Sequence, residues 1–465
     1  MLQDVLTNRG IDLPNRPTEL RAHQNVSRNV TLLSGNLTSN TNTVSAGVSA
    51  RVYDRGVYGF ASVADFGSES VAKMLKVASE KATFLGGRAG SSLGELPPLK
   101  PGNEEPQKIR GELPQKLLLD FARALDAYIA ETYQDLAGRS VTISCLDMEK
   151  YLFVSNGEPT PLLISHSLVP RTNITVSFTL RDSAGVPVSL GRNFGGYGFF
   201  NDLFENPEAL YEQLATLYER VGKKREGVHA NAGMRLCVMG PDLAGILCHE
   251  AIGHTVEGDL ILGGSIAGQY INQQVATELV TMVDFAHTVM GKTAPIPVVV
   301  DDEGVIAQDV TLIEQGVLKN FMHTRATAQK LGYESLGNGR AFTFSDEPLV
   351  RMRNTAILPG SSKLADIIAS VDDGYYLVRS GNGQADSTSE FMFGIVEGYE
   401  IKNGQVGRAI RDTTISGVAF DMLKTIDMVS DDMVWSNGGM CGKKQPIPVG
   451  MGGPAVRCYM NIGGR

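Results

Sequence analysis

Short alternating runs of apolar and polar residues dominate the first part of the chain. From Asn29 to Phe60 these runs are separated by the turn-forming segments Ser34-Gly35-Asn36 and Asp54-Arg55-Gly56, a pattern typical of a meander of β-strands. From Ser68 to Leu85 the apolar residues recur at helical spacing, behind a serine that can cap a helix. We therefore predict a sheet with a helix packed on it.

Helical and strand-like patterns continue up to about residue 229. Residues 86–113 are rich in Gly, Pro and Ser, which predicts a linker or a surface excursion. Helical spacing then predicts helices from Pro114 to Tyr133 and from Pro207 to Val221. The runs between them predict strands at Val141–Leu146, Tyr151–Ser155 and Asn173–Leu180.

The second half of the chain is β-rich. It begins with a predicted strand at Met234–Met239 and a helix start at Pro241, and the tight-turn pairs Gln315-Gly316 and Asn403-Gly404 separate strand-like runs. Further strands are predicted at Val280–Val283, Ile296–Asp301, Val310–Glu314, Val317–Phe321 and Gly394–Lys402, and a helix at Thr324–Leu331.

These patterns predict an α+β fold in two parts. Residues 1–229 form an N-terminal α/β region with a mixed sheet and packed helices, which can break near 86–113. Residues 230–465 form a C-terminal β-rich domain that carries a short helix with the chemistry described below.

Composition narrows the class of protein. The 465 residues are 42% hydrophobic, enough for sizeable cores. The 42 Lys and Arg against 51 Asp and Glu give a net charge of −9, which argues against binding to nucleic acid. The sequence contains no apolar run of roughly 18 residues, so we expect no membrane span. Five cysteines without a framework spacing and an N-terminus without a secretory signal favour a cytoplasmic protein.

One short segment carries candidate chemistry: Cys248-His249-Glu250-Ala251-Ile252-Gly253-His254. Two histidines four apart on a helix point about 40° from each other, but five apart they diverge by about 140°. The α-helix therefore cannot continue regularly through His254. Gly253 permits a terminal or locally wide turn that swings His254 back toward His249. Both imidazoles can then bind one metal ion, and the Glu250 carboxylate can act as a general base on a water molecule.

Two histidines do not complete a hydrolytic zinc site, which usually takes three protein ligands and leaves one position open. From the residues alone, three candidates for the third ligand stay open. Glu257 and Asp259 lie close to the two histidines in sequence. Either can instead accept a hydrogen bond from a metal-binding histidine, or be a solvated acid. Cys441 lies in a glycine-rich segment followed by Lys443 and Lys444, which favour a thiolate. Imidazole and thiolate ligands favour zinc over hard cations.

The segment His249-Glu250-x-x-Gly253-His254-x-x-Glu257-Gly258-Asp259 resembles the zinc motif of the TldD branch of the TldD/PmbA (TldD/TldE) metalloprotease family. The resemblance extends over about 235–465. It includes Asp301-Asp302-Glu303-Gly304, Leu312–Leu318, Gly337-Asn338-Gly339-Arg340, Arg351-Met352-Arg353-Asn354-Thr355, Gly383-Gln384-Ala385-Asp386 and Met440-Cys441-Gly442.

The resemblance implies a function and a set of site residues. His249, His254 and Cys441 would bind one zinc ion per chain, and Glu250 would be the catalytic base of a peptidase. Substrates would be unfolded or extended peptides, cleaved inside a cavity enclosed by a homodimer or by a heterodimer with a TldE-like paralogue. The alternative is a non-catalytic binding or stabilising subunit of a peptidase complex.

Several other residues have plainer interpretations. Cys248 is expected in the core, because it faces another side of the helix than its neighbour. Arg340 and Arg353 can hold a substrate carbonyl or carboxylate, although arginines of this kind are more often ion-pair partners.

Overall fold

The computed structural model of the protein describes residues 13–88, 95–104, 111–158, 160–436 and 438–463. In this part of the chain, a seven-stranded mixed sheet lies in the N-terminal half, and a seven-stranded and a six-stranded sheet contact the histidine motif in the C-terminal half. The predicted α+β class is confirmed.

The N-terminal sheet has the strand order β3-β2-β1-β5-β6-β4, with β7 also paired to β6. All described pairs are antiparallel except β4 with β6. The strands are β1 (Pro17–Leu33), β2 (Asn36–Asp54), β3 (Val57–Val63), β4 (Gly102–Glu104), β5 (Gly138–Asn156), β6 (Leu163–Arg181) and β7 (Pro187–Tyr197).

Helices cover this sheet and close its cores. Helix α1 packs on β2 and β3, α2 on β1 and β5, and α4 on β6 and β7. The helices of the whole described chain are α1 (Ser68–Arg88), α2 (Gln115–Thr132), α3 (Phe200–Leu203), α4 (Tyr211–Arg225), α5 (Pro241–Leu247), α6 (Gly258–Leu262), α7 (Arg325–Leu331), α8 (Leu364–Ala369) and α9 (Ala419–Leu423).

The C-terminal half consists mainly of short strands. They are β8 (Gly233–Met239), β9 (Met282–Phe285), β10 (Thr288–Val289), β11 (Lys292–Thr293), β12 (Val310–Glu314), β13 (Val317–Leu318), β14 (Gly339–Arg340), β15 (Leu349–Val350), β16 (Asn354–Ile357), β17 (Asp373–Ala385), β18 (Glu390–Lys402), β19 (Gln405–Ala409), β20 (Thr413–Val418), β21 (Met428–Val429), β22 (Val434–Ser436), β23 (Met440–Cys441), β24 (Ile447–Pro448), β25 (Gly450–Gly453) and β26 (Val456–Ile462).

Two of these sheets enclose helix α5 and the histidine motif. Strands β17, β8, β26, β20 and β18 pair in that order, and β17 pairs again with β18, so the strands close into a ring. The second sheet has the order β13-β12-β9-β16-β25-β22. The motif contacts β17 and β18 of the ring and β16 and β25 of the second sheet. It therefore lies at the centre of the largest buried apolar cluster in the described chain.

Many local predictions are confirmed. The turns at Ser34-Gly35 and Arg55-Gly56 join long antiparallel strands, and the residues in these turns have positive φ, as tight hairpin turns require. The helix predicted from Ser68 extends to Arg88. The helix predicted from Pro207 begins as a 3₁₀ turn, Pro207–Leu210, and continues as α4.

The predicted division of β5 into two strands is wrong. One strand runs through the polar segment Asp147–Lys150, because these side chains have buried partners. The Asp147 carboxylate lies 3.2 Å from the Arg28 guanidinium. The Lys150 ammonium lies 2.7 Å from the Asp302 carboxylate. Polar residues within this strand therefore face charged neighbours.

Two further strand predictions need correction. Residues 296–301 form no strand, apart from an isolated bridge between Val300 and Ile306. The backbone N–H of Ile296 donates to the Asn354 side chain, and Pro297 has no N–H to donate. The strand predicted over 317–321 is limited to β13.

The predicted break at 86–113 is only partly described, because residues 89–94 and 105–110 lie outside the described residues. Its described part includes the short strand β4, which pairs with β6, so this part of the segment is not an irregular linker. The division into 1–229 and 230–465 stays a prediction. None of the helices in the described ranges has the length and apolar character needed to cross a membrane.

Candidate metal centre

The backbone changes its helical pitch at the histidine motif. Helix α5 ends at Leu247, a π-helical turn covers Cys248–Gly253, and a 3₁₀ turn covers His254–Val256. The N–H of His254 donates to the carbonyl oxygen of His249, five residues earlier. This turn is wider than that of an α-helix, so residues five apart return to one side. The two imidazole centroids lie 5.1 Å apart.

The turn needs a glycine at position 253, because the neighbouring atoms leave no room for a side chain. A Cβ at this position would overlap the Sδ of Met352 and lie 3.0 Å from the carbonyl oxygen of Cys248. The φ of Gly253 is −56°, so space rather than backbone conformation demands glycine. The inner face of the turn is held by fully buried residues, namely Cys248, Ala251, Ile252 and Val256. The prediction that Cys248 belongs to the core is confirmed.

A distant hairpin brings Cys441 to the two histidines. Strands β23 and β24 pair at Cys441 and Ile447, and the Cys441 side chain is buried. Its Sγ lies 3.4 Å from Nε2 of His254. One ligand atom from each of His249, His254 and Cys441 lies within 4.8 Å of the others. The structure thus brings together the three residues predicted as ligands, although their role in metal binding stays a prediction.

The polar atoms of this cluster fit a bound cation. His249 is fully buried, and neither of its ring nitrogens has a hydrogen-bond partner among the residues described. Burying unpartnered polar atoms is costly, and a cation held by a ring nitrogen would remove that cost. Two imidazoles and one thiolate form a donor set that favours zinc over magnesium or calcium.

Glu257 fixes the orientation of His254. The Nδ1–H of the ring donates to Oε2 of Glu257 at 2.8 Å, which leaves Nε2 as the nitrogen that faces Cys441. The Glu257 carboxylate is fully buried and also lies 3.0 Å from the Lys443 ammonium. Lys443 in turn contacts Asp259 at 2.8 Å. Of the three candidates for a third ligand, only Cys441 faces both histidines.

The electrostatics favour the thiolate form of Cys441. Burial alone raises the pKa of this thiol, but the two neighbouring imidazoles, His249 and His254, outweigh burial and lower the pKa to about 4. Burial alone lowers the pKa of His254, whereas Glu257 and Cys441 raise it to about 10. Burial likewise raises the pKa of Glu257, and His254 and Lys443 reverse that shift and lower it. The thiolate is the form that binds metals.

Glu250 lies at the more open side of the cluster. Its Oε2 is 3.8 Å from Nε2 of His254, and its side chain is 29% exposed, against 0% for Glu257. A carboxylate in this position can reach both solvent and the ring nitrogen that faces Cys441. It can therefore exchange protons with a water molecule at the cluster.

Sequence reasoning missed the residues that support this site. Arg351 donates to three backbone carbonyls of the loop that carries Cys441, and no motif spacing points to that role. Arg353 is fully buried and pairs with Asp284 at 2.8 Å. Arg340 donates to the carbonyls of Met352 and Pro448. Arg353 is thus an ion-pair partner, although it is buried and not at the surface. Arg340, which is also buried, donates to backbone carbonyls.

Two family models match the chain. Residues 234–464 match the PmbA/TldA metallopeptidase C-terminal domain, and residues 18–82 match the PmbA/TldA metallopeptidase domain 1. A metalloprotease of Methanothermobacter thermautotrophicus is 34% identical over 325 residues, 68% of each chain. This chain belongs to the TldD/PmbA family. The TldD/PmbA model of the C-terminal domain covers the histidine motif and Cys441.

Other TldD/PmbA relatives carry related names. A metalloprotease TldD homologue of Buchnera aphidicola is 43% identical over 232 residues, 49% of this chain and 47% of that protein. A zinc metalloprotease TldD homologue of Saccharolobus solfataricus is 34% identical over 269 residues, 57% and 59% of the two chains. The chain thus spans about half the length of the curated TldD homologues of Buchnera aphidicola that it matches.

Structure comparison gives the same fold. TldE from Thermococcus kodakarensis superposes with a TM-score of 0.74 over 96% of each chain, at 17% identity. The TldD/PmbA fold therefore extends over nearly the whole chain, including the N-terminal sheet.

Proposed function

We propose that this protein is a zinc-dependent peptidase, with His249, His254 and Cys441 as the ligands of one zinc ion and Glu250 as the general base. The observation that carries the proposal is the convergence of these three ligand atoms within 4.8 Å of one another around a fully buried imidazole without hydrogen-bond partners among the described residues. Membership in a metallopeptidase family and the name of the Saccharolobus relative support it.

Each residue of the cluster has a role that follows from its contacts. Bound zinc supplies Lewis-acid polarisation of the scissile carbonyl and of a water molecule. Glu250 takes a proton from the attacking water and delivers it to the leaving amine. Glu257 keeps the His254 proton on Nδ1, so that Nε2 is free to bind the metal. Cys441 contributes a thiolate without waiting for high pH.

The proposed substrates are unfolded or extended peptides. Strand β22 pairs only with β25 among the described strands, so it forms one edge of its sheet. It ends at Ser436, shortly before Cys441. An extended peptide can add to such an edge through backbone hydrogen bonds, which do not depend on side-chain identity.

We further propose that the protein works in the cytoplasm, as a homodimer or as a heterodimer with a TldE-like partner. The dimer encloses a cavity that admits peptides and excludes folded proteins. The likeness to TldE supports the partnership. In this proposal residues 1–229 and 230–465 form the N-terminal region and the catalytic domain. The separate family matches at 18–82 and 234–464 support that division.

The test combines metal analysis with peptide cleavage. We expect about one zinc per purified chain, cleavage of casein or of an unstructured peptide, and loss of cleavage after treatment with a chelator. Glu250→Gln should keep zinc and lose cleavage, because the amide cannot accept the proton. Glu278→Gln, at an exposed position, is the matched control and should keep both.

The outcomes separate the proposal from its alternative. Stoichiometric zinc with no cleavage of any unfolded substrate would favour a non-catalytic subunit that stabilises a partner. Full cleavage by Glu250→Gln would remove this carboxylate from the mechanism.

A further inference from the structure

The segment that carries Cys441 is poorly suited to hold a side chain in place by itself. We call residues 438–446 the sulfur loop. It contains Gly438, Gly439 and Gly442, and glycine has the largest conformational freedom of any residue. Among the described residues, the pair of β23 and β24 is the one strand pairing that orders this loop. Other contacts must therefore keep the Cys441 sulfur beside His254.

Arg351 holds the sulfur loop from the short segment between β15 and β16. This side chain is fully buried, directly after β15. One guanidinium nitrogen donates to the carbonyl oxygens of Lys443 and Gln445, at 2.9 and 2.7 Å. The other donates to the carbonyl oxygen of Cys441 itself at 2.8 Å. A planar guanidinium with donors in a fixed fork fixes several acceptors at once.

Arg171 holds the same loop from the N-terminal sheet. It projects from β6, is 5% exposed, and donates to the carbonyl oxygen of Gly439 at 2.8 Å. The same nitrogen lies 3.7 Å from Sδ of Met440. These contacts join a strand of the N-terminal half to the two residues directly before Cys441.

We propose that Arg171 and Arg351 are positioning residues of the metal centre, which clamp the sulfur loop from two sides and so hold the Cys441 thiolate within reach of the metal. The N-terminal sheet thereby completes a site whose ligands all lie in the C-terminal half. This inference rests on the proposed zinc function. The contacts described above join both arginines to the loop and not to the proposed ligand atoms.

The direction of the change in zinc affinity distinguishes a positioning role of the arginines from an electrostatic one. Removing a positive charge near a cation site by itself tightens cation binding. Releasing the sulfur loop has the opposite effect, because binding must then order glycine-rich backbone that the clamp holds in advance. Weaker zinc binding in an arginine variant therefore does not come from electrostatics, and it reflects either lost positioning or a general loosening of the fold.

The test uses Arg171→Met, Arg351→Met and Arg351→Lys in the full chain. We expect the zinc dissociation constant, measured by competition with a chromophoric chelator, to rise about 10-fold in the two methionine variants, as for other outer partners of metal sites. Arg351→Lys should recover part of the loss. With cobalt(II) in place of zinc, the thiolate-to-metal charge-transfer band should weaken.

A second measurement does not depend on metal. In the metal-free chain, Cys441 should be alkylated by iodoacetamide faster in the variants than in the wild type, as followed by mass spectrometry. Cys248 is fully buried in the neighbouring core and reports general loosening. A rise at Cys441 alone supports the clamp, whereas equal rises at both cysteines indicate a merely structural role and overturn it.

Arg181→Met is the matched control. Arg181 lies on the same strand β6 and also donates to a glycine carbonyl at 2.8 Å, that of Gly185, but at the hairpin turn. It should leave zinc binding and alkylation unchanged. Unchanged or tighter zinc binding in Arg171→Met overturns the inference while the peptidase proposal stands. If the wild type itself binds no zinc, the proposed function fails, and the alkylation result still decides whether the arginines hold Cys441. Should Arg351→Met fail to fold, Arg171→Met carries the test.

Discussion

At the scale of single residues, the site depends on how burial and neighbouring charges set the protonation states of Cys441, His254 and Glu257. Cys441 and His254 lie 3.4 Å apart in a buried setting, and each shifts the other toward its charged form. Glu257 completes the chain on the far side of the imidazole. A metal ion can therefore replace the protons that Cys441 and His254 would otherwise hold, and no carboxylate is needed as a further ligand.

Cys441→Ser should nearly abolish zinc binding. A serine hydroxyl stays protonated where the thiol is ionised, so it is a poor ligand. Loss of a hydrogen-bond partner of a metal ligand typically weakens metal binding about 10–100-fold. We expect a larger rise here in the zinc dissociation constant, measured by chelator competition. Cys248→Ser, in the core beside the site, should cost stability but keep zinc. Equal zinc affinity in the two variants would contradict the assignment.

Glu257→Gln should weaken zinc binding without removing a ligand. The neutral amide is a poorer acceptor for the His254 Nδ1–H, so the ring loses its fixed tautomer. We expect about a 10–100-fold rise in the zinc dissociation constant, measured by isothermal titration. Glu278→Gln is the control at an exposed site. Wild-type affinity in Glu257→Gln would show that ring orientation is set elsewhere.

At the scale of elements, the decisive feature is the π-helical turn over Cys248–Gly253. An α-helix would separate His249 and His254 by about 140°, whereas the observed turn places them on one side. The turn is fixed by packing, since its inner residues are fully buried and Met352 occupies the space beside Gly253.

Gly253→Ala should therefore damage both the fold and the site. The added methyl overlaps the Sδ of Met352, and overpacking of this kind costs about 1–3 kcal/mol. We expect a lower free energy of unfolding in urea together with weaker zinc binding. Gly263→Ala is the matched control, because the nearest atom to its Cβ would be a carbonyl oxygen at 3.4 Å. A wild-type zinc affinity in Gly253→Ala would show that the turn tolerates a side chain.

At the scale of the whole molecule, buried charges join the two halves of the chain. Arg51 from β2 donates to Glu303 at 2.7 Å, and Lys150 from β5 contacts Asp302 at 2.7 Å. Arg171 makes the corresponding link to the sulfur loop. The N-terminal sheet is therefore bound to the C-terminal half through specific polar contacts, one of which, that of Arg171, reaches the loop that carries Cys441.

Arg51→Met should destabilise this junction strongly. Arg51 also lies 3.3 Å from the buried Glu19, so the change leaves two buried carboxylates without their shared cation. Breaking a buried pair in this way costs about 3–5 kcal/mol, which urea unfolding followed by circular dichroism can measure. Arg88→Met, at an exposed position, should change stability by no more than about 0.5 kcal/mol. A similarly small effect at Arg51 would mean that the junction is held by other contacts.

Local sequence was enough to predict several features of this protein. Hairpin turns, the amphipathic α1 and the need for a bend at Gly253 follow from interactions between residues a few positions apart. The same reasoning explains two errors. The polar segment Asp147–Lys150 predicts a gap between two strands, because the local pattern does not show its distant partners Arg28 and Asp302. Residues 296–301 are apolar enough for a strand, but their backbone is satisfied elsewhere, as at Asn354.

The sequence by itself determined the candidate chemistry, since two histidines and a glutamate around a glycine predict both a metal site and a distortion of the helix. Only the tertiary structure decided which third residue joins them, because Cys441 is 187 positions from His254 and no local pattern reports that distance. Its position depends on two arginines, one from each half of the chain. Spacing encodes contacts within a turn or a strand, whereas contacts between distant segments follow from how whole sheets pack.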